Sequence, residues 1–290
     1  MIDYTVIINC YNSENFVTGT LDSLAKQTEP NFKVLVYDNN SSDKTVEIVA
    51  TFDKLLSSLK IVVSDEHTSL AQARNNALRY VDTKYFSFLD SDDLYAANRI
   101  RLTYAELSRK SSQNCIYFTN GYILHTSGKL SAFYKKRPVK QELEPIAHYQ
   151  IYLCSVIFSS TLIKESFFDN RYSMCEEYEA IIACLKDERK AKVRYLNLGE
   201  VFWRLHSGSS TFSSLSKWAE EYSLILNDYN DKLTVIENRF ISRRKSFYGL
   251  FTETPEKFCL NGFFWRLVLL LRKLLGKKVF KRIYFFYRNS

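Results

Sequence analysis

The sequence predicts an α/β protein with a mainly parallel central sheet flanked by helices and a C-terminal helical extension. Three observations predict it. Strand-like and helix-like apolar periodicities alternate at short intervals over about the first hundred residues. Three strand-like runs stop in polar, acid-rich segments, the usual mark of a ligand crevice at the carboxyl edge of such a sheet. The chain has 290 residues, 46% of them hydrophobic, with only 8 glycines and 4 prolines, so a sizeable core is available and low-complexity or collagen-like readings fail.

Taken in order, residues 4–8 form an apolar first strand and 13–26 an amphipathic helix. A second strand over 33–37 ends in Asp38-Asn39-Asn40-Ser41-Ser42-Asp43, where Ser42 or Asp43 suits the cap of a helix over 44–56. A third strand at 61–64, a helix over 69–81 and a fourth strand at 85–89 come next. Beyond Asp93 the pattern loosens: a helix over 96–108, a strand at 114–119, a basic turn-rich loop over 130–145 and a strand over 151–158. The last elements are a helix over 175–186 with acids at its start, a strand at 193–198 and a helix over 215–233. The expected organisation is a first half (1–95), a second half of the same domain (96–212) and a helical C-terminal region (213–290).

The net charge is +8, and all of that excess lies in the last stretch. Residues 263–290 contain eight basic residues and no acid, and removing them leaves 32 basic and 32 acidic residues. A neutral body with a basic tail does not suit a protein that tracks nucleic-acid phosphates over a face, so no nucleic-acid partner is expected. Because the tail's cations interleave with Phe, Trp and Leu, it is expected to lie on an anionic membrane surface. No run reaches the ~20 apolar residues of a membrane span. The six cysteines show no metal-like spacing, and no secretory leader opens the sequence, so a cytoplasmic protein at the inner membrane face is expected.

Three polar segments should meet at one sheet edge: Asn9-Cys10-Tyr11-Asn12, Asp38-Asn39-Asn40 and Asp90-Ser91-Asp92-Asp93. Three carboxylates in four residues repel one another, and a hard divalent cation is the simplest relief. Neither a glycine-rich dinucleotide fingerprint nor a P-loop is present, so no glycine cradle holds a nucleotide here.

These segments, with Leu21-Asp22-Ser23-Leu24-Ala25-Lys26-Gln27-Thr28 and Leu70-Ala71-Gln72-Ala73-Arg74-Asn75-Asn76-Ala77-Leu78, occur together in an order that resembles the inverting glycosyltransferases of family 2. The bacterial surface-glycan members are the nearest in kind. The resemblance is dense over about the first hundred residues and thinner to Ser210. It implies the GT-A nucleotide-diphosphosugar transferase fold, with 1–95 as the nucleotide-sugar-binding half and 96–212 as the acceptor-binding half, and a UDP-sugar or similar donor. It also implies binding roles for Asn9, Tyr11, Asp38, Asn40, Arg74, Asp90 and Ser91: Tyr11 under the base, Asp38 at the uracil imide, Arg74 at the base or diphosphate, Asp90 at the ribose. Asp92 and His206, the latter from Trp203-Arg204-Leu205-His206, would meet Mn²⁺ or Mg²⁺.

Glu177 would be the base. An acceptor hydroxyl loses its proton only as the new bond forms, and a nearby carboxylate can take it. The family commonly has proline at Asn9, a change expected to alter only strand-end rigidity, and Glu-Asp where this chain has Glu176-Glu177. The implied acceptor is a lipid-linked or growing glycan. Two rival readings stand beside this one, a nucleotide-sugar-binding protein without catalysis and a metal-dependent nucleotidyltransferase.

Overall fold

The computed structural model describes residues 3–110, 112–133, 152–198, 201–206 and 215–251, together with 270, 273, 274 and 276. The contacts divide the chain into two compact units, one ending at Leu205 and the other running from His206.

In the first unit, β1 (Tyr4–Cys10), β2 (Lys33–Asp38), β3 (Leu59–Val63), β4 (Tyr85–Phe88), β6 (Cys115–Phe118), β9 (Val156–Ser159) and β10 (Lys192–Tyr195) form a seven-stranded sheet ordered β10-β6-β9-β4-β1-β2-β3. The pairs β1/β2, β1/β4, β2/β3 and β6/β10 are parallel, and β9 runs antiparallel to both neighbours. Almost every residue of β1, β2, β4, β6 and β9 is buried, as expected of strands covered on both faces. The helices of this unit are α1 (Val17–Ala25), α2 (Thr45–Ala50), α3 (Leu70–Leu78), α4 (Arg99–Lys110) and α5 (Glu176–Lys186).

Several expected elements are shorter than the periodicity suggested. The helix read over 13–26 begins at Val17, because the Ser13 and Glu14 amides bond to Thr45 at the start of α2 and to Asp43 just before it. The helix read over 44–56 ends at Ala50, after which bonds tighten to three-residue turns that carry Phe52 and Leu56 into the core. Of the strand read over 151–158, Leu153–Ser155 is a 3₁₀ turn and the ladder starts at Val156.

A second, four-stranded sheet was not anticipated. It is ordered β5-β11-β7-β8, from β5 (Leu94–Tyr95), β7 (Tyr122–Leu124), β8 (Leu130–Ala132) and β11 (Val201–Arg204). Strands of two to four residues leave almost no periodicity to read. Part of the expected 130–145 loop is therefore strand, and its remainder from 134 lies outside the described residues.

On the α3 side of the main sheet, Phe86, Phe158 and Phe167 pack as an aromatic cluster, with Phe88 against Phe168 at 5.4 Å between ring centroids. This block is the solid floor from which the strand ends project.

The second unit contains α6 (Leu215–Asp228), within the helix expected over 215–233, and beyond it a further helix, α7 (Val235–Gly249). The break between them comes from Thr234: its hydroxyl accepts from the Glu237 amide while the Glu237 carboxylate accepts from the Thr234 amide, a capping box that starts a new helix. Trp218 of α6 stacks on Tyr248 of α7 at 5.3 Å. Thr234→Ala is expected to destabilise this unit by about 1 kcal/mol, read as a lower denaturant midpoint for the helix pair. Among the described residues no helix is long and apolar enough to cross a membrane. The basic tail lies outside the described residues except at positions 270, 273, 274 and 276.

Candidate active site

The ends of β1 and β2 are drawn together by side-chain bonds. Asn12 and Asn40 each turn the chain in the left-handed region, at φ 49° and 64°, where asparagine is among the few residues comfortable. Asn12 Oδ1 accepts from the Ser42 amide, and its own amide donates to Ser41 Oγ. Asp38 is buried, its two carboxylate oxygens accepting from the amide and hydroxyl of Ser41 at 2.8 and 2.6 Å. Tyr11 is 49% exposed and lies against the imidazole of His67, ring centroids 4.0 Å apart. His67 is held in turn by Asn39, whose side chain also bonds Thr68. Nothing in the sequence pattern singled out His67.

One pleat from Ile7, Asn9 does more than alter strand-end rigidity. Both atoms of its amide are buried with no hydrogen-bond partner in the structure, so the position offers a free donor and acceptor that proline lacks.

The acidic loop after β4 is laced to the first loop: Ser91 Oγ lies 2.8 Å from Ser13 Oγ, and the Ser91 carbonyl accepts from Thr20. The three carboxylates have different surroundings. Asp93 turns inward and accepts from the Arg204 amide at 2.9 Å. Burial, followed by the charges of Asp92 and Asp90, pushes its carboxyl well above the usual range, which favours the neutral form. Asp90 pairs with Arg74, and Asp92 remains partly exposed. The repulsion expected among the three is thus relieved by an inward turn and an arginine, before any cation is considered. Arg204 also donates through Nε to the Asp92 carbonyl and places its guanidinium over Phe16, so β11 pins the loop from the second sheet.

Arg74 sits on α3, 3% exposed, its guanidinium against the rings of Phe88 and Phe168. Its Nη1 donates to Glu176 Oε1 at 2.8 Å and its Nη2 to Asp90 Oδ1 at 3.1 Å. Burial works against its charge, but Asp90, Glu176 and Glu177 outweigh it and hold the guanidinium above its ordinary pKa. Glu177, the next residue of α5, keeps part of its surface open while protein crowds its carboxyl. Burial first, and then the Glu176 charge, push that carboxyl up to about 8 against the pull of Arg74.

The structure therefore brings Asn9, Tyr11, Asp38, Ser91 and Asp90 to one sheet edge and joins Glu176, hence Glu177, to it through Arg74. Asn40 is exposed at the rim, bonded to the Asp65 carbonyl at 3.5 Å. His206 is the first residue of the second unit, two positions after Arg204. Among the described residues no three His, Cys, Asp or Glu side chains converge into a metal cage.

An open, mainly parallel sheet with carboxylates at its strand ends places a ligand crevice along its carboxyl edge. The model of "Glycosyl transferase family 2" matches residues 5–162, and the chain belongs to that family. Two relatives cover most of it. A protein described as an uncharacterized glycosyltransferase of Rickettsia typhi is 26% identical over 285 residues, 94% of this chain and 86% of its own length. The Escherichia coli UDP-Glc:alpha-D-GlcNAc-diphosphoundecaprenol beta-1,3-glucosyltransferase WfgD is 27% identical over 217 residues, 74% of this chain and 81% of its own.

Among solved structures, residues 1–349 of S. aureus TarS in complex with UDP-GlcNAc superimpose with a TM-score of 0.65 at 21% identity. That match covers 85% of this chain and 71% of that one. Against the longer TarS structure the chain spans 45% of the partner's length. The fold is that of the GT-A transferases, and the protein is a glycosyltransferase.

Proposed function

We propose that the protein moves one sugar from a UDP-linked or similar diphosphosugar to a hydroxyl of a lipid-linked or growing glycan, with inversion at the anomeric carbon. The observation that carries this reading is the Arg74 bridge. It draws Glu176, and with it Glu177, to the sheet edge where Tyr11, Asp38 and the acidic loop stand. A donor site without an adjacent base would bind and not transfer.

Tyr11 presents an open ring for the base, and the buried Asp38 carboxylate has lone pairs left for an imide N–H. Asn9 offers its unpaired amide to the same ligand. Of the acid pair, Glu176 is committed to Arg74, which leaves Glu177 to take the acceptor's proton as the new bond forms. One base and no protein nucleophile give a single displacement.

Asp92, partly exposed and oxygen-only, suits Mn²⁺ or Mg²⁺. Such ions are held by one or two carboxylates, with phosphate oxygens and water completing the shell. When bound, the ion would neutralise the departing diphosphate, and His206 is the further ligand that the family resemblance suggests. The basic, aromatic stretch 263–290 would hold the enzyme on the anionic inner face of the membrane, beside a lipid-linked acceptor. That WfgD is named for a diphosphoundecaprenol-linked acceptor supports this choice.

The test is titration calorimetry with UDP and Mn²⁺. Binding is expected in the wild type, and Tyr11→Ala is expected to weaken it by about 1–3 kcal/mol, the value of one base-stacking face. A wild-type protein indifferent to UDP and to every UDP-sugar would sink the reading.

A further inference from the structure

Arg74, to which the family resemblance gives a donor-binding role, is buried and bonded within the protein. Both of its Nη atoms are engaged within the protein, its guanidinium lies against Phe88 and Phe168, and it faces carboxylates from two separate elements. Such an arrangement is a poor source of stability. Taking the guanidinium and Glu176 out of water offsets most of their attraction, and apolar replacements of buried ion pairs are often neutral.

Nor is the bridge needed to dock the chain leading to α5. The neighbouring Asn75 already does that, donating to the Phe168 carbonyl at 2.7 Å and accepting from the Phe168 amide at 2.8 Å. What the bridge adds is a fixed relation between Asp90, at the end of β4, and the first turn of α5. Successive helical residues diverge by about 100° around the axis, so holding Glu176 inward sets Glu177 toward the open side.

We propose that Arg74 is a positioning residue for transfer: by tying Asp90 to Glu176 it sets where the Glu177 carboxylate stands relative to the donor loop. The proposal deepens the function given above and rests on it. In this reading Arg74 acts through Glu176 and not on the donor or acceptor.

The experiment compares wild type, Arg74→Met, Arg74→Lys and Glu177→Gln by two measurements. The first is turnover of UDP-glucose beside calorimetric affinity for UDP with Mn²⁺. The second, which needs no turnover, is hydrogen exchange of peptides covering 172–182. For Arg74→Met the expected result is a loss of about 10²-fold in kcat, the scale of a misplaced catalytic group, with UDP affinity within about threefold of wild type. Exchange is expected to be faster in the first turn of α5 but not in α3.

Arg74→Lys keeps the charge but cannot fork between two carboxylates, so it should fall between the two. If Arg74→Met does not fold, the lysine variant is judged by the same criteria. Unchanged exchange in the first turn of α5, or a loss of UDP affinity as large as the loss of turnover, would overturn the proposal. Undiminished turnover in Glu177→Gln would instead remove the base assignment, leaving the exchange result to judge the bridge separately.

Discussion

Glu177→Gln is expected to lower sugar transfer by about 10²–10⁴-fold, the usual contribution of a positioned general base, while leaving UDP affinity near wild type. The same substitution should raise thermal stability at alkaline pH. A carboxyl pushed up to about 8 by burial is held more easily in its protonated form, so the folded protein binds a proton that the unfolded chain has already released above about 4.5. That contribution is complete below the unfolded value and is lost as pH rises to about 8.

Glutamine has no charge to bury, so the melting temperature of Glu177→Gln should diverge upward from wild type between those two values and run parallel above them. In the wild type the rate should climb through the same range, because only the ionised carboxylate can accept a proton. A cation or further positive charge brought in with the donor would shift that rise toward lower pH. A flat rate between pH 6 and pH 9, or a Glu177→Gln protein no more stable at pH 9 than wild type, would contradict the assignment.

Chelation is the second large effect expected. Removing divalent cations with EDTA should slow transfer by about a thousandfold, equivalent to the several kcal/mol that a Lewis-acid cation supplies to a departing diphosphate. Mn²⁺ or Mg²⁺ added back should restore the wild type and leave Asp92→Asn slow. Asp93→Asn is the informative companion. Asp93 is buried, leans toward the neutral form and accepts from the Arg204 amide, so its amide analogue should cost some stability and leave the metal dependence of transfer unchanged. Full activity in EDTA would exclude the cation, and a metal response lost in Asp93→Asn but kept in Asp92→Asn would exchange the roles given to the two residues.

The first, second and fourth strands and their polar ends could be read from residue order, because a covered parallel strand is an unbroken apolar run and the polar residues just after it must face the crevice. Tyr11, Asp38 and the acidic loop were found in that way. The partners of the charges were not legible. Arg74 and Glu176 are 102 positions apart, Asp93 and Arg204 are 111 apart, and no periodicity links them. The separate fates of Asp90, Asp92 and Asp93 were equally hidden, since adjacent carboxylates look alike until one is turned inward. His67 had no signal at all: a loop histidine becomes part of the site only because Asn39 holds it against Tyr11.

By itself, then, the order of residues determined the family, the alternation that builds the main sheet, and which strand ends carry chemistry. All three depend on patterns within a few neighbours along the chain. Tertiary structure alone decided which carboxylate meets Arg74, which is buried and which is partly exposed, and it set the second sheet that pins the acidic loop. Those outcomes depend on distance and solvent exclusion between segments far apart in sequence, and charge energetics are governed by space rather than residue number.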